Sequence, residues 1–181
     1  MKKIILVFCM AALLVACNEE RKTETAAEAT PAAAPTEKPP VEILNDSNLV
    51  ASTMASFTAF ENKDIEGYTA GMADNVMFRW SGGDSLAGKQ AVKDYYTGRF
   101  NIIDNIKFSD HISLPLMANV SPVASVATGK WMLSWYKVSV KYKNGKSIAF
   151  WAHNTQHYND AGKMDIFNQY IDRAPIMAAT K

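Results

Sequence analysis

The chain has 181 residues, with 19 basic and 18 acidic side chains and a formal net charge of +1. Nucleic-acid binding needs a clear basic excess, so no nucleic-acid partner is expected. The cysteines are Cys9 and Cys17, both at the N-terminus, so the chain beyond them can form neither a disulfide nor a thiolate metal site.

Lys2 and Lys3 give the N-terminus a positive start, and residues 4–15 are an apolar run. About 12 apolar residues are too few to span a bilayer but suit a secretory signal. The run ends in Leu14-Val15-Ala16-Cys17, a small residue followed by cysteine at the cleavage point. This resembles the bacterial lipoprotein signal. The resemblance implies a signal peptide over residues 1–16, lipidation of Cys17 and a membrane partner reached through the lipid anchor. Two or more acyl chains hold a protein stably on a membrane. Asn18, rather than Asp, follows the cysteine, so the inner-membrane retention signal is missing and the outer membrane is the expected location, on its periplasmic side or at the cell surface. Glu19 and Glu20 fit either a surface-export signal or a solvated linker.

Residues 18–40 contain only Ala, Thr, Pro, Glu, Lys, Arg and Asn. Such a stretch cannot bury enough apolar surface to offset its ordering entropy, so residues 17–40 are read as a lipidated cysteine and a disordered tether. Residues 41–181 are the size of one domain. Asn45, Asp46 and Ser47 are candidate N-caps for a helix whose apolar stripe is Val50, Met54, Phe57 and Phe60. Asn62-Lys63 ends it, and Asp64 can cap a second short helix carrying Ile65, Tyr68 and Met72. Val76, Phe78 and Trp80 alternate as in a strand, Ser81-Gly82-Gly83-Asp84 is a turn, and residues 88–97 form a third helix. Ile106, Phe108, Ile112 and Leu114 then mark a strand, while residues 115–122 resist assignment. Long strands follow over residues 130–142, 147–158 and 164–171. Helices first and strands later predict an α+β fold.

Asn144-Gly145 is read as a two-residue hairpin turn that pairs Trp135 with Asn154 and Trp131 with Tyr158. One face then holds Trp131, Leu133, Trp135, Phe150, Asn154, Gln156 and Tyr158; the other holds Met132, Tyr136, Val138, Val140, Trp151, His153 and His157. The first face is either a pocket wall or a filled aromatic core, and the second is a candidate homodimer surface. A one-residue slip would exchange the two.

Five segments in order resemble the nuclear transport factor 2-like superfamily, in its SnoaL-like branch. They are Phe57-Thr58-Ala59-Phe60-Glu61-Asn62-Lys63-Asp64, Met72-Ala73-Asp74-Asn75-Val76, Leu86-Ala87-Gly88-Lys89-Gln90-Ala91-Val92, Asp160-Ala161-Gly162-Lys163-Met164 and Gln169-Tyr170-Ile171-Asp172. The resemblance implies a curved antiparallel sheet wrapped around three N-terminal-half helices, a cone-shaped α+β barrel with a pocket at its open end. It also implies dimerisation through the outer sheet face. The ketosteroid isomerases of that superfamily use a tyrosine, a carboxylate base and a neutral carboxylic acid, which fall here on Ser56, Trp80 and Asn154. None of the three groups is retained, so no catalytic residue is assigned.

The reading favoured is therefore binding of a small apolar molecule in an aromatic cone. Trp80, Trp131, Trp135, Asn154 and Tyr158 are expected to line it, with Tyr68, Phe78, Gln156 and Phe167 contributing. His153 and His157 lie about 13 Å apart along one strand and cannot share an ion, so no metal site and no cofactor are expected. Two alternatives stay open: an enzyme of cyclase, dehydratase or hydrolase type with Asp84 or another carboxylate as base, and a protein-interaction module using the outer sheet face.

Overall fold

The computed structural model describes residues 37–121 and 126–181; the expected signal segment, Cys17 and residues 18–36 of the expected tether lie outside them. Among the described residues no helix is long and apolar enough to cross a membrane. A short strand β1 (Val41–Ile43) opens the domain and lies against the far end of β4 (Ile103–Ala118). Pro39 and Pro40, on the tether side of the expected boundary, already give their carbonyls to Asn119 at 2.8 and 2.9 Å.

Helix α1 (Ser47–Glu61) begins at Asp46, whose carboxylate accepts the Leu49 N–H at 3.0 Å. That satisfies one of the donors a first turn leaves open. Phe57 and Phe60 on its apolar stripe are buried. Lys63 leaves the helix at a φ of 57° and donates its ammonium to the carbonyls of Ile103 and Asp104 at 2.7 and 3.0 Å. Asp64 caps α2 (Ile65–Thr69) by accepting the Gly67 N–H at 2.9 Å. Met72 does not continue this helix. It starts β2 (Met72–Trp80) because the Gly71 carbonyl accepts the Met164 N–H at 2.9 Å and draws the chain into the sheet. β2 turns over Ser81-Gly82-Gly83-Asp84 into the short strand β3 (Ser85–Ala87), and α3 (Lys89–Phe100) buries Val92, Tyr96 and Phe100.

The remaining elements are β5 (Gly129–Tyr142), β6 (Ser147–Tyr158), β7 (Met164–Tyr170) and α4 (Ala174–Ala179). The seven strands form one curved sheet in the order β1-β4-β5-β6-β7-β2-β3. The architecture is α+β, but the sheet is mixed rather than wholly antiparallel, because β2 runs parallel to β7. β1, β3 and α4 add to the expected elements, and Pro115 to Ala118 stay within β4.

Two irregularities decide which side chains face inward. The β5–β6 hairpin is not a two-residue turn. The Gly145 N–H bonds the Tyr142 carbonyl at 2.9 Å, Tyr142 N–H bonds the Lys146 carbonyl at 2.8 Å, and only Gly145 takes positive φ, at 86°. A turn followed by a left-handed glycine adds a bulge, so Lys141 pairs with Ser147, Trp135 with His153 and Ser134 with Asn154. This one-residue shift sends Trp131 and Trp135 to the outer face and brings Met132, Ser134, Tyr136, Val138 and Val140 inside. In β4 a bulge between Ser109 and Ile112, with Asp110 at a φ of 54°, has the same effect. Ile106 and Phe108 point inward, whereas Ile112 is 58% exposed.

The helices pack into the concave side through an aromatic cluster. Phe60 meets Tyr68, Tyr96 and Phe100 edge-on at centroid distances of 4.8, 5.0 and 4.9 Å. Glu61 ties α1 to β4, accepting from the Phe108 N–H at 2.6 Å and from Lys107 at 2.9 Å.

Candidate functional site

Between the helices and the inner sheet face lies a cavity of about 180 Å³. An apolar cavity of about 150 Å³ is enough to hold benzene, so this one suits a body of one or two rings. Aromatic and aliphatic side chains from α1, β4, β5 and β7 form most of its wall, among them Phe57, Phe108, Val138, Val140 and Phe167.

Polar groups enter this wall at a few points. The Trp80 indole donates to Gln169 Oε1 at 3.0 Å, and Gln169 Nε2 donates to the Tyr136 hydroxyl at 3.2 Å. The register sets up this relay, since Gln169 pairs with Trp80 on β2 and with Asn154 on β6. Having accepted one bond, the Tyr136 hydroxyl keeps its own O–H to donate. Asn154 is 1% exposed, yet its Oδ1 has no hydrogen-bond partner among the described residues. Neither has the Oγ of Ser134, directly across the ladder. Buried polar atoms are nearly always paired, and an unpaired one is a reason to look for what it serves.

Burial pushes the phenols of Tyr68, Tyr96 and Tyr136 well above the ordinary tyrosine range. They are hydrogen-bond donors here, not bases. Among the described residues, the lining holds no Asp, Glu, His or Cys. Among the described residues no group of three or more potential ligands is placed to hold a metal ion.

The exposed lining residues Tyr95 and Met177 mark the open end, and the half-buried Arg99 and Arg173 each stand four positions from one of them. Arg173 is paired with Asp84. Helix α4 contributes Ile176 and Met177, and is fastened by Asn144 Nδ2 to the Ala179 carbonyl at 2.8 Å and by Lys146 to the Ala178 carbonyl at 3.0 Å. A cation at a helix C-terminus is favourably placed.

The expected site residues divide into three groups. Trp80, Tyr68, Asn154, Gln156 and Phe167 line the cavity, as does Ser56. Phe78 and Tyr158 face the interior without lining the cavity. Phe78 is stacked beneath Phe167 at 4.1 Å, and the Tyr158 hydroxyl donates to Gln156 Oε1 at 2.8 Å. Trp131 and Trp135 are on the outer face, against expectation, because the hairpin register differs by one residue. There Trp131 packs on His157 at 5.0 Å and donates to the Ala127 carbonyl, while Trp135 stacks on His153 at 4.5 Å. His157 faces an oxygen from each ring nitrogen, Asp165 Oδ1 at 2.5 Å and the Thr128 carbonyl at 2.9 Å. Asp84 does not line the cavity.

Sequence reasoning missed Tyr136, Gln169, Arg99 and the α4 residues. Gln169 was within reach, since it follows Phe167 by two positions and shares its face. Pro175 in the first turn of α4 is a helix-start signal of the kind that marks such an element.

No protein-family model and no curated protein matches the sequence. Solved structures do match the fold. A nuclear transport factor 2-like protein of unknown function from Burkholderia pseudomallei superposes with a TM-score of 0.57 at 18% identity, covering 74% of this chain and 98% of its own. A protein named as a candidate polyketide cyclase from Xanthomonas campestris gives 0.61 at 15% identity, covering 76% and 100%. An epoxide hydrolase of the LEH-like kind from M. tuberculosis gives 0.54 at 13% identity, covering 74% and 89%. Identities this low speak to the fold and leave the chemistry to the site. The domain of this chain has the nuclear transport factor 2-like fold.

Proposed function

We propose that the domain binds one small, largely apolar molecule inside the cone and performs no chemistry on it. The observation that carries this reading is Asn154. It is a fully buried amide with an unpaired acceptor, set in the wall of a cavity large enough for a ligand. Apolar walls with a few fixed polar groups are the usual make-up of a small-molecule site. A lining without carboxylate, imidazole or thiol supports binding over proton transfer, which needs a group able to exchange a proton near neutral pH. The alternative of Asp84 as a base has less support, because Asp84 is not a lining residue and its carboxylate is already engaged by Arg173. Structural neighbours named as cyclase and epoxide hydrolase keep the fold compatible with catalysis, but they share no more than 15% identity with this chain.

Native mass spectrometry of the purified protein tests the reading. Val138 is 4% exposed and lines the cavity, so Val138→Trp fills it. The expected result is a small-molecule adduct on the wild type that the variant lacks. The same adduct on both proteins, or none on either after incubation with aromatic probes such as 2-naphthol, would count against it.

We also propose that the domain works on a leash from a bacterial membrane, with the outer membrane as its location. The support is the Lys2-Lys3 start, the apolar run and the small residue before Cys17. Cys17→Ser is expected to move the protein from the membrane fraction to the soluble fraction; unchanged partitioning would remove the lipid anchor from the account.

A further inference from the structure

Among the described residues, Arg99 and Arg173 are the charged side chains of the cavity lining. Arg173 is accounted for by its ion pair with Asp84. Arg99 has no carboxylate partner among the described residues; its guanidinium lies beside the buried Tyr142 phenol, whose pKa burial raises and Arg99 draws back down. It stands in the last turn of α3, where the helix end favours a cation, and it is half-buried.

The helix end accounts for a cation at Arg99 but not for its place in the cavity lining. α3 is anchored by Val92, Tyr96 and Phe100, and a half-buried guanidinium among aromatic side chains has lost hydration that a single phenol oxygen does not replace. A guanidinium offers five donors in a planar fork that matches a carboxylate edge to edge. Tyr136 and Asn154 lie in the wall formed by β5 and β6, and Arg99 stands at the end that reaches solvent. A ligand satisfying the whole lining has an apolar middle and an anionic end.

We infer that the molecule bound in the cone is an amphipathic carboxylic acid: an apolar body of one or two rings, with a carboxylate that Arg99 engages at the mouth. This rests on the cavity being a ligand site. The cavity of about 180 Å³ sets the size of the body, and the guanidinium without a carboxylate partner among the described residues sets the charge. The ion pair stays close to solvent, so the acid enters without carrying its charge into the aromatic interior.

Calorimetric titration of the purified protein with 2-naphthoic acid and with 2-naphthamide, two molecules of one shape and different charge, is the test. The acid is expected to bind about tenfold or more tightly than the amide, the size of one charge-assisted contact. Arg99→Gln should bring the acid down to the level of the amide and leave the amide within about twofold, and Arg99→Lys should keep part of the preference because the charge remains. Raised salt should weaken the acid and leave the amide alone, a readout independent of any variant. Equal binding of acid and amide to the wild type overturns the inference and leaves the cavity reading standing. So does an acid preference that survives Arg99→Gln or is indifferent to salt. Failure of both molecules to bind, or binding that persists in Val138→Trp, overturns the cavity reading as well.

Discussion

Replacing Phe78 by alanine is expected to lower the free energy of unfolding by about 3–5 kcal/mol, the range for removing a fully buried phenylalanine. Phe78 is 0% exposed in the middle of β2. Its ring stacks on Phe167 at 4.1 Å with an interplanar angle of 19°, and it touches Trp80 at 4.8 Å and Tyr96 at 5.8 Å. It therefore joins the parallel β2–β7 pair to α3, and truncation leaves a hole that none of the three neighbours can fill without leaving its own contacts. Domains of this size are stable by about 5–15 kcal/mol, so a large part of the margin is at stake. Denaturant titration should show a lower midpoint with an unchanged slope. A loss below about 1 kcal/mol would mean that the neighbours collapse into the space and that the cone floor is plastic.

The sequence was most legible where structure is local. Asp46 and Asp64 betray the starts of α1 and α2 because a capping carboxylate bonds an N–H three residues on. The limits of β6 follow from turn residues on either side. Facing was less legible, because it depends on single inserted residues. Asn144-Gly145 resembles a two-residue turn, and the structure makes a longer one in which only Gly145 is left-handed. That difference moves Trp131 and Trp135 out and Tyr136 and Val138 in. The bulge at Asp110 is harder still, since aspartate takes a φ of 54° more readily than most residues but does so at few of its positions. Asn154 and Gln156 face inward although their partners across the ladder differ from those expected, because their alternation within β6 is independent of the strand opposite. Arg99 was invisible, since nothing in a helical period says that a charged residue of the last turn reaches a cavity built by distant strands.

Asn154 separates a binding cone from a filled core. If its amide served the fold, its polar atoms would be paired; instead Oδ1 is buried without a partner. An unpaired buried acceptor carries a desolvation penalty of about 1–3 kcal/mol, and an apolar residue of the same shape removes it. Asn154→Leu is therefore expected to leave stability unchanged or raise it by about 1 kcal/mol. The same change should weaken a hydroxyl-bearing probe such as 2-naphthol by about tenfold, through loss of the hydrogen bond offered at the wall. Residues that lower stability in the free protein and act on a ligand mark functional sites. The deciding measurement is the unfolding free energy of Asn154→Leu beside its affinity for 2-naphthol. Stability held or raised with affinity lost is the result expected of a ligand-binding cone. A loss of about 2 kcal/mol or more in stability, with affinity for the probe unchanged, would identify Asn154 as a structural hydrogen-bonding residue and contradict the account.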